Sequence, residues 1–291
     1  MNYENVEVIE LNIAYPYIAI DLDGTLLNAD KRISYADFYA IKLYTSLGGK
    51  VILATGRSPL STAWVAENLG IEKSLVAFNG AYIQFGDEKQ YDFIESRFQV
   101  SDIEYLLSLC DNLGLEYLMY NNDSMIINEI TPLNKRWLND LLDFSYLKVQ
   151  TDCREYSKRF KVIQWDKTVQ LMNRILKFVI LPNKKDEFEK MFSILQNCGF
   201  CLNKTPRYIE ITNNYYNKGS ALEKILKKDG CTITEIMAIG DNYNDLSMLR
   251  LAKLGVVVAN SPIDIREQIK NVTSSNNNNG VAEAIIHYAI Y

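Results

Sequence analysis

Two stretches of alternating strand and helix, separated by a middle section with a different rhythm, constrain this fold more than any other feature of the sequence. The apolar run at 17–22 reads as a strand. "SYADFYAIKLYTSLG" (34–48) has apolar spacing near 3.6 residues, with Ser34 placed as N-cap and Gly48 or Gly49 as C-cap. "KVILATGR" reads as a buried strand ending in a polar turn. "SPLSTAWVAENLG" reads as a helix with Pro59 in its first turn and Gly70 at its end, and "SLVAFNGAYI" as another strand. Such alternation is the mark of βαβ units and a parallel sheet. From about residue 86 the pattern changes to short helices and strands, with an Asn-Asn-Asp turn inside "LEYLMYNNDSMIINEI" and further strands in "RILKFVIL" and "RYIEIT". Near residue 218 the first rhythm resumes through "KGSALEKILKKDG", "EIMAIG", "NDLSMLRLA" and "LGVVVAN". The expected fold class is α/β. A discontinuous Rossmann-like parallel-sheet core spans 1–85 and 212–291, and an α+β unit with its own antiparallel sheet is inserted at 86–211.

The chain has 291 residues, 48% of them hydrophobic, which is enough for a sizeable core. A net charge of −5 argues against nucleic acid or an anionic membrane as the main partner. No apolar run spans a bilayer. "MNYENVEVIELN" lacks the order of a signal peptide, so a cytoplasmic protein is expected. Five cysteines do not suggest a disulfide framework. Cys198 and Cys201 have redox-motif spacing, but Cys198 falls at the end of a helical pattern rather than at its start, so both read as ordinary thiols. The single histidine, His287, reads as a helix-face residue, so acid–base chemistry falls to carboxylates or lysine. The Asn277–Asn279 stretch reads as a solvated loop.

Four expected strand ends carry polar, small-residue sequence: Asp21-Leu-Asp23-Gly-Thr25, Thr55-Gly56-Arg57, Asn79-Gly80 and Gly240-Asp241-Asn242-Tyr243-Asn244-Asp245. In a parallel sheet, ligands sit beyond the carboxyl ends of the strands. Residues i and i+2 of extended chain face the same way, so Asp21 and Asp23 can point into one site. Two ionised carboxylates that close repel unless a cation intervenes. Oxygen ligands without His or Cys suit Mg²⁺, with Asp241 and Asp245 adding charge at a neighbouring strand end. An aspartate can attack phosphorus, a second carboxylate can protonate the leaving alkoxide and activate water, and Lys218 can reach the same crevice. Each motif alone also has a structural reading as a turn, cap or solvated lysine; their co-occurrence in this order carries the inference.

The segments "DLDGTLL", "ATGR", "FNGA", "NKGSAL" and "GDNYNDLSML" resemble the haloacid dehalogenase superfamily, and within it the Cof-type hydrolases with a large α/β cap. The resemblance implies a nucleophilic, metal-binding Asp21. It implies Asp23 as general acid/base with its backbone carbonyl on the metal, and Asp241 as a further metal ligand. Leu22, Thr55, Gly56, Lys218 and Asn244 would contact phosphate, and Asp245 would support the metal site. Arg57 and Asn79 match recurrent positions and would have substrate-side or structural roles. The implied enzyme is a Mg²⁺-dependent phosphatase of small phosphorylated metabolites, sugar phosphates or similar monoesters, working as a monomer or homodimer. A phosphomutase, a specialised sugar or cofactor phosphatase, or a non-catalytic metabolite-binding protein are the alternatives. Tyr120, Asn122, Arg136, Trp137, Trp165 and Tyr208 are cap candidates for specificity. The segment 1–16 is longer than the resemblance implies and reads as an extra edge strand or a docking segment.

Overall fold

The computed structural model describes residues 11–86, 92–135, 161–165 and 169–291. The strands in chain order are β1 (Tyr17–Ile20), β2 (Lys50–Ala54), β3 (Leu75–Ala77), β4 (Tyr82–Phe85), β5 (Asp92–Glu95), β6 (Glu116–Tyr120), β7 (Ser124–Ile127), β8 (Lys161–Gln164), β9 (Lys177–Leu181), β10 (Cys201–Thr205), β11 (Tyr208–Thr212), β12 (Met237–Gly240), β13 (Leu254–Val258) and β14 (Val272–Thr273). They form an eight-stranded sheet in the order β14-β13-β12-β1-β2-β3-β4-β5 and a six-stranded sheet in the order β10-β11-β9-β6-β7-β8. The first sheet is parallel from β14 to β3, and β4 and β5 join it antiparallel.

The helices that matter to the site are α1 (Tyr35–Ser46), α2 (Pro59–Leu69), α3 (Val100–Leu113), α4 (Lys185–Leu195), α5 (Lys218–Lys228), α6 (Leu246–Leu251), α7 (Ile263–Ile269) and α8 (Gly280–Ala284). Alternate residues of the first sheet feed two apolar layers. Ile18, Ile20, Val51 and Leu53 pack with α1, α2 and α8, while Tyr17, Ala19, Ile52 and Ala54 pack with α5, α6 and α7. Burial on both faces explains why these strands are continuous apolar runs. The helix ends follow the sequence signals except at the end of α1, where Leu47 rather than Gly48 or Gly49 is the C-cap and Gly48 follows it at φ of 93°. Ser34 accepts from Asp37 N at 3.0 Å, Ser58 accepts from Ser61 N ahead of Pro59, and Gly70 ends α2 with φ of 56°.

The second sheet forms a cap with helices on one face. Phe178, Ile180, Ile209 and Ile211 pack under α3 and α4, whereas Leu118, Tyr120, Val179 and Leu181 pack with Leu75, Ala77, Phe78 and Tyr82 of the core. Among the described residues no helix is long and apolar enough to cross a membrane.

The structure corrects the sequence reading in three places. "SLVAFNGAYI" is two antiparallel strands, because Phe78, Asn79 and Gly80 all take positive φ (48°, 57° and 110°) and reverse the chain. β5, expected in the insert, extends the first sheet instead, pairing Ile94 with Ile83 and stacking Phe93 on Tyr82. A change of rhythm marks where helices stop, not which sheet the next strand joins. The cap sheet is mixed rather than antiparallel, since β8 runs parallel to β7 across a connection long enough to cross over. The Asn-rich loop is exposed at 277–279, but it also braces the core: Asn276 is buried and donates to Leu27 O at 2.9 Å, and Asn277 accepts from Ala29 N. Most of the amino-terminal segment lies outside the described residues, and its end pairs with the carboxyl terminus through Asn12 and Ala14. Cys198 lies past the end of α4, Cys198 and Cys201 are free thiols, and His287 is exposed in a terminal π-helical turn.

Candidate active site

Strands β12, β1, β2 and β3 are neighbours and run the same way, so their carboxyl ends open on one edge of the sheet. A cavity of about 620 Å³ lies there, lined by Asp21, Asp23, Gly24, Thr55, Gly56, Asp241 and Asn244 from the core and by cap residues above them. The four strand ends singled out in the sequence therefore meet.

Asp21 continues β1, with its N–H donating to Ile239 O of β12 at 3.0 Å, and its side chain is buried. Lys218, fully buried in the first turn of α5, donates to Asp21 Oδ1 at 2.6 Å and to Asp245 Oδ1 at 2.5 Å. Asp245 Oδ2 accepts from the N–H groups of Asp241 (2.9 Å) and Asn242 (3.0 Å). Both of its oxygens are thus occupied, and Asp245 fixes Lys218 and the Asp241 turn. Asp241 accepts from Thr25 Oγ1 at 3.0 Å. Gly24 sits at φ +89°, where a Cβ would come within 2.5 Å of Asp241 Oδ2, so the turn needs glycine both for its backbone and for its closeness to the carboxylate.

Electrostatics set the state of each group. Burial pushes the Asp21 carboxyl well up; the Lys218 charge opposes this, and the neighbouring carboxylates of Asp245 and Asp241 add to it. Burial, then the Asp245 charge, raise Asp241 to about 7. Burial alone would lower Lys218, but the charges of Asp21 and Asp245 outweigh it and hold the ammonium above its ordinary range. One oxygen from each of Asp21, Asp241 and Asp245 lies within 4.8 Å of the others. A cluster of hard oxygens that repel one another and contain no His or Cys fits Mg²⁺.

Asp23 differs. Its carboxylate is not part of that cluster and is gripped by Arg57, at 2.6 Å from Nε and 2.8 Å from a terminal nitrogen, and by Lys31 at 2.6 Å. Burial works against ionisation, but the Arg57 charge and hydrogen bonds, helped by Lys31, hold it well below the usual carboxylate range. Leu22 points into the core and its carbonyl accepts from Leu27 N at 2.8 Å, leaving its backbone N–H as the group that can meet a ligand. Thr55 is buried, with its N–H donating to Val76 O and its hydroxyl accepting from Arg57 N at 3.2 Å. Asn244 donates to Asn79 Oδ1 at 2.9 Å.

Of the cap candidates, Tyr120 and Tyr208 line the cavity, Trp165 is buried in the cap core, and Arg136 and Trp137 lie outside the described residues. Asn122 follows β6 in the hairpin turn and is not among the lining residues. The sequence reading missed Lys31, Lys177, Asn203 and Glu210, which also line the cavity. A signal existed for two of them: a charged residue interrupts each apolar run in "RILKFVIL" and "RYIEIT". Lys177 and Glu210 form a buried ion pair, and Lys177 Nζ also donates to Gly56 O at 3.0 Å.

Comparison with known proteins agrees with this geometry. A phosphatase of Bacillus subtilis (strain 168), YcsE, named for 5-amino-6-(5-phospho-D-ribitylamino)uracil, is 28% identical over 277 residues, covering 94% of this chain and 95% of its own. Phosphatase YwpJ of the same organism is 28% identical over 290 residues, covering 93% and 98%. The solved structure of a haloacid dehalogenase-like hydrolase from B. subtilis superposes with a TM-score of 0.77 at 24% identity, covering 94% of this chain and 99% of that one. Residues 18–285, from the first strand through the last helix of the core, match the haloacid dehalogenase-like hydrolases, and the chain belongs to that family.

Proposed function

We propose that this protein is a Mg²⁺-dependent phosphatase that hydrolyses small phosphorylated metabolites, sugar phosphates or similar monoesters, through an aspartyl-phosphate on Asp21. The observation that carries the reading is the buried Asp21–Lys218–Asp245 arrangement beside Asp241, opening on a cavity under the cap. The names of the two curated relatives support a phosphatase.

In the proposed reaction Asp21 attacks phosphorus, the ester P–O bond breaks, and Asp23 gives a proton to the departing oxygen. Water then attacks the acyl phosphate, Asp23 takes its proton, and inorganic phosphate leaves with Asp21 restored. Lys218 favours the ionised form of Asp21 against burial and offsets phosphoryl charge, while Thr55, the Gly56 N–H, the Leu22 N–H and Asn244 hold the phosphoryl oxygens. Magnesium, when bound by the carboxylates of Asp21 and Asp241 and the Asp23 carbonyl, supplies further positive charge to the phosphoryl group. In the arrangement seen, Asp23 is ionised, the form that accepts a proton from water. Donating one in the first step requires Arg57 and Lys31 to shift their contacts to the incoming anion. The core at the sheet edge does the chemistry, and the inserted cap, closing above it, excludes bulk water from the acyl phosphate.

The test is a phosphate-release screen over a panel of phosphate monoesters, run with Mg²⁺ and with a chelator. We expect turnover of several esters, loss of it with chelator, and recovery on adding Mg²⁺. No release from any ester, or release indifferent to chelation, rejects the reading.

A further inference from the structure

The cap contributes a charged pair that the proposed chemistry does not use. Lys177 on β9 and Glu210 on β11 are only 5% and 7% exposed, yet both line the cavity. Sheet pairing puts them on one face: Lys177 lies opposite Thr212, two residues from Glu210 along β11, and opposite Tyr120 on β6. Glu210 lies opposite Asn203 on β10.

The pair sits over the loop expected to hold phosphate. Lys177 Nζ donates to Gly56 O at 3.0 Å, and a Cβ built on Gly56 would lie 3.4 Å from Glu210 Oε2. A phosphoryl group held at Thr55 and Gly56 therefore has its ester substituent passing beside these two side chains.

Their hydrogen-bonding capacity is not filled. Lys177 has three N–H donors and uses two, on Gly56 O and Glu210 Oε1. The third has no oxygen partner among the described residues, and the ammonium lies 5.6 Å from the Phe78 ring centre and 5.7 Å from that of Tyr120. Glu210 Oε1 takes Lys177, while among the described residues Oε2 takes only two long contacts, from Asn203 Nδ2 at 3.2 Å and Asn79 Nδ2 at 3.3 Å. A carboxylate offers about four acceptor sites, so at least one remains. One open donor and one open acceptor, side by side, match adjacent hydroxyl groups. The rings of Phe78, Tyr120 and Tyr208 around the cavity suit the C–H faces of such a carbon chain.

Stability does not account for the pair. A buried ion pair and a well-packed apolar pair of similar volume are often equally stabilising. We propose that Lys177 and Glu210 are specificity-determining residues that read vicinal hydroxyls next to the phosphoester, making the substrate a phosphomonoester of a polyol or sugar. This rests on the phosphatase reading above.

The test measures kcat/KM of the full-length protein with Mg²⁺ on erythritol 4-phosphate and on n-butyl phosphate, four-carbon esters that differ only in the hydroxyls. We expect the unaltered enzyme to prefer the erythritol ester by at least about 30-fold, because buried polar groups go unpaired when the hydroxyls are missing. The double variant Lys177→Met/Glu210→Met removes both charges at similar volume, and we expect its preference ratio to fall to within about three-fold of unity on the same reasoning. A merely structural pair would slow both esters alike and leave the ratio as it was; that result overturns the proposal, as does an unaltered enzyme that hydrolyses both esters equally. Should the double variant not fold, Lys177→Met/Glu210→Gln, which keeps an acceptor for Asn79 and Asn203, is read by the same ratio. An enzyme inert toward the whole ester panel overturns the phosphatase reading, and this proposal with it.

Discussion

The floor and the roof of the cavity are built by different rules. The floor is made of loops at the ends of adjacent parallel strands, where Asp21, Thr55 and Asp241 each follow directly on their own strand and are held by their backbone N–H groups, on Ile239 O, Val76 O and Asp245 Oδ2. The roof is one face of the cap sheet, where Lys177 and Glu210 meet only because β9 and β11 pair across an intervening helix and strand, α4 and β10. The floor sets Asp21, Asp241 and Asp245 around Lys218 and clamps Asp23 between Arg57 and Lys31, and the roof presents a neutral pair with open valences. Fixed local geometry suits a step common to every phosphate ester. A surface assembled from distant strands is free to vary with the substituent. On this view, damage to the floor should act on all substrates alike, and damage to the roof should act on some.

The largest effect should follow from Asp21→Asn. The amide cannot act as the nucleophile, and kcat should fall by about 10⁴-fold or more on every ester, in line with losses seen when a catalytic nucleophile is removed. Steady-state assays across esters with good and poor leaving groups check this. A variant that loses one ester and keeps another would break the division between floor and roof.

Asp23→Asn should sharpen it. Loss of a general acid/base costs roughly 10²–10⁴-fold. The first step should suffer most with alkyl esters, whose leaving oxygen needs a proton, and little with p-nitrophenyl phosphate. The second step needs the base whatever the ester was. Rapid-quench measurement with p-nitrophenyl phosphate should therefore show a burst of one nitrophenol per enzyme followed by slow turnover. A second phase that keeps the rate of the unaltered enzyme, with no burst, would remove Asp23 from the second step. Arg57 and Lys31, which hold Asp23 ionised here, are the side chains expected to move before it can donate.

The same contrast explains what could be read from the sequence. Asp21, Asp23, Thr55, Lys218 and Asp241 fall at element ends, where apolar runs stop at small and polar residues, and parallel pairing then brings those ends together. The coarse α/β core followed from the same punctuation. The Arg57 and Lys31 clamp on Asp23 was not legible, because nothing local says which carboxylate an arginine 34 residues along the chain, past the end of β2, will choose. Lys177 and Glu210 were visible as charges inside apolar runs, but their partnership depends on register. Sheet membership was lost where it depends on a turn: the positive φ at Phe78 and Asn79 folds an apparently single strand back on itself and so carries β5 into the core sheet.

The smallest expected effect comes from behind the floor. Asn260 donates to Gly24 O at 2.8 Å and accepts from Asn276 N at 2.9 Å, and Asn276 in turn donates to Leu27 O at 2.9 Å. These bonds tie the turn carrying Asp23 and Gly24 to the asparagine-rich loop near the carboxyl terminus. Asn276→Ala leaves the buried Leu27 carbonyl without that donor, which costs about 1–3 kcal/mol. Urea unfolding should show the loss as a lower midpoint with an unchanged slope. Turnover should fall by only a few fold, and by the same factor for hydroxylated and plain esters, because Asn276 touches neither the reacting groups nor the roof. A substrate-dependent loss would mean that the turn after β1 helps to select the leaving group, and specificity would then no longer belong to the cap alone.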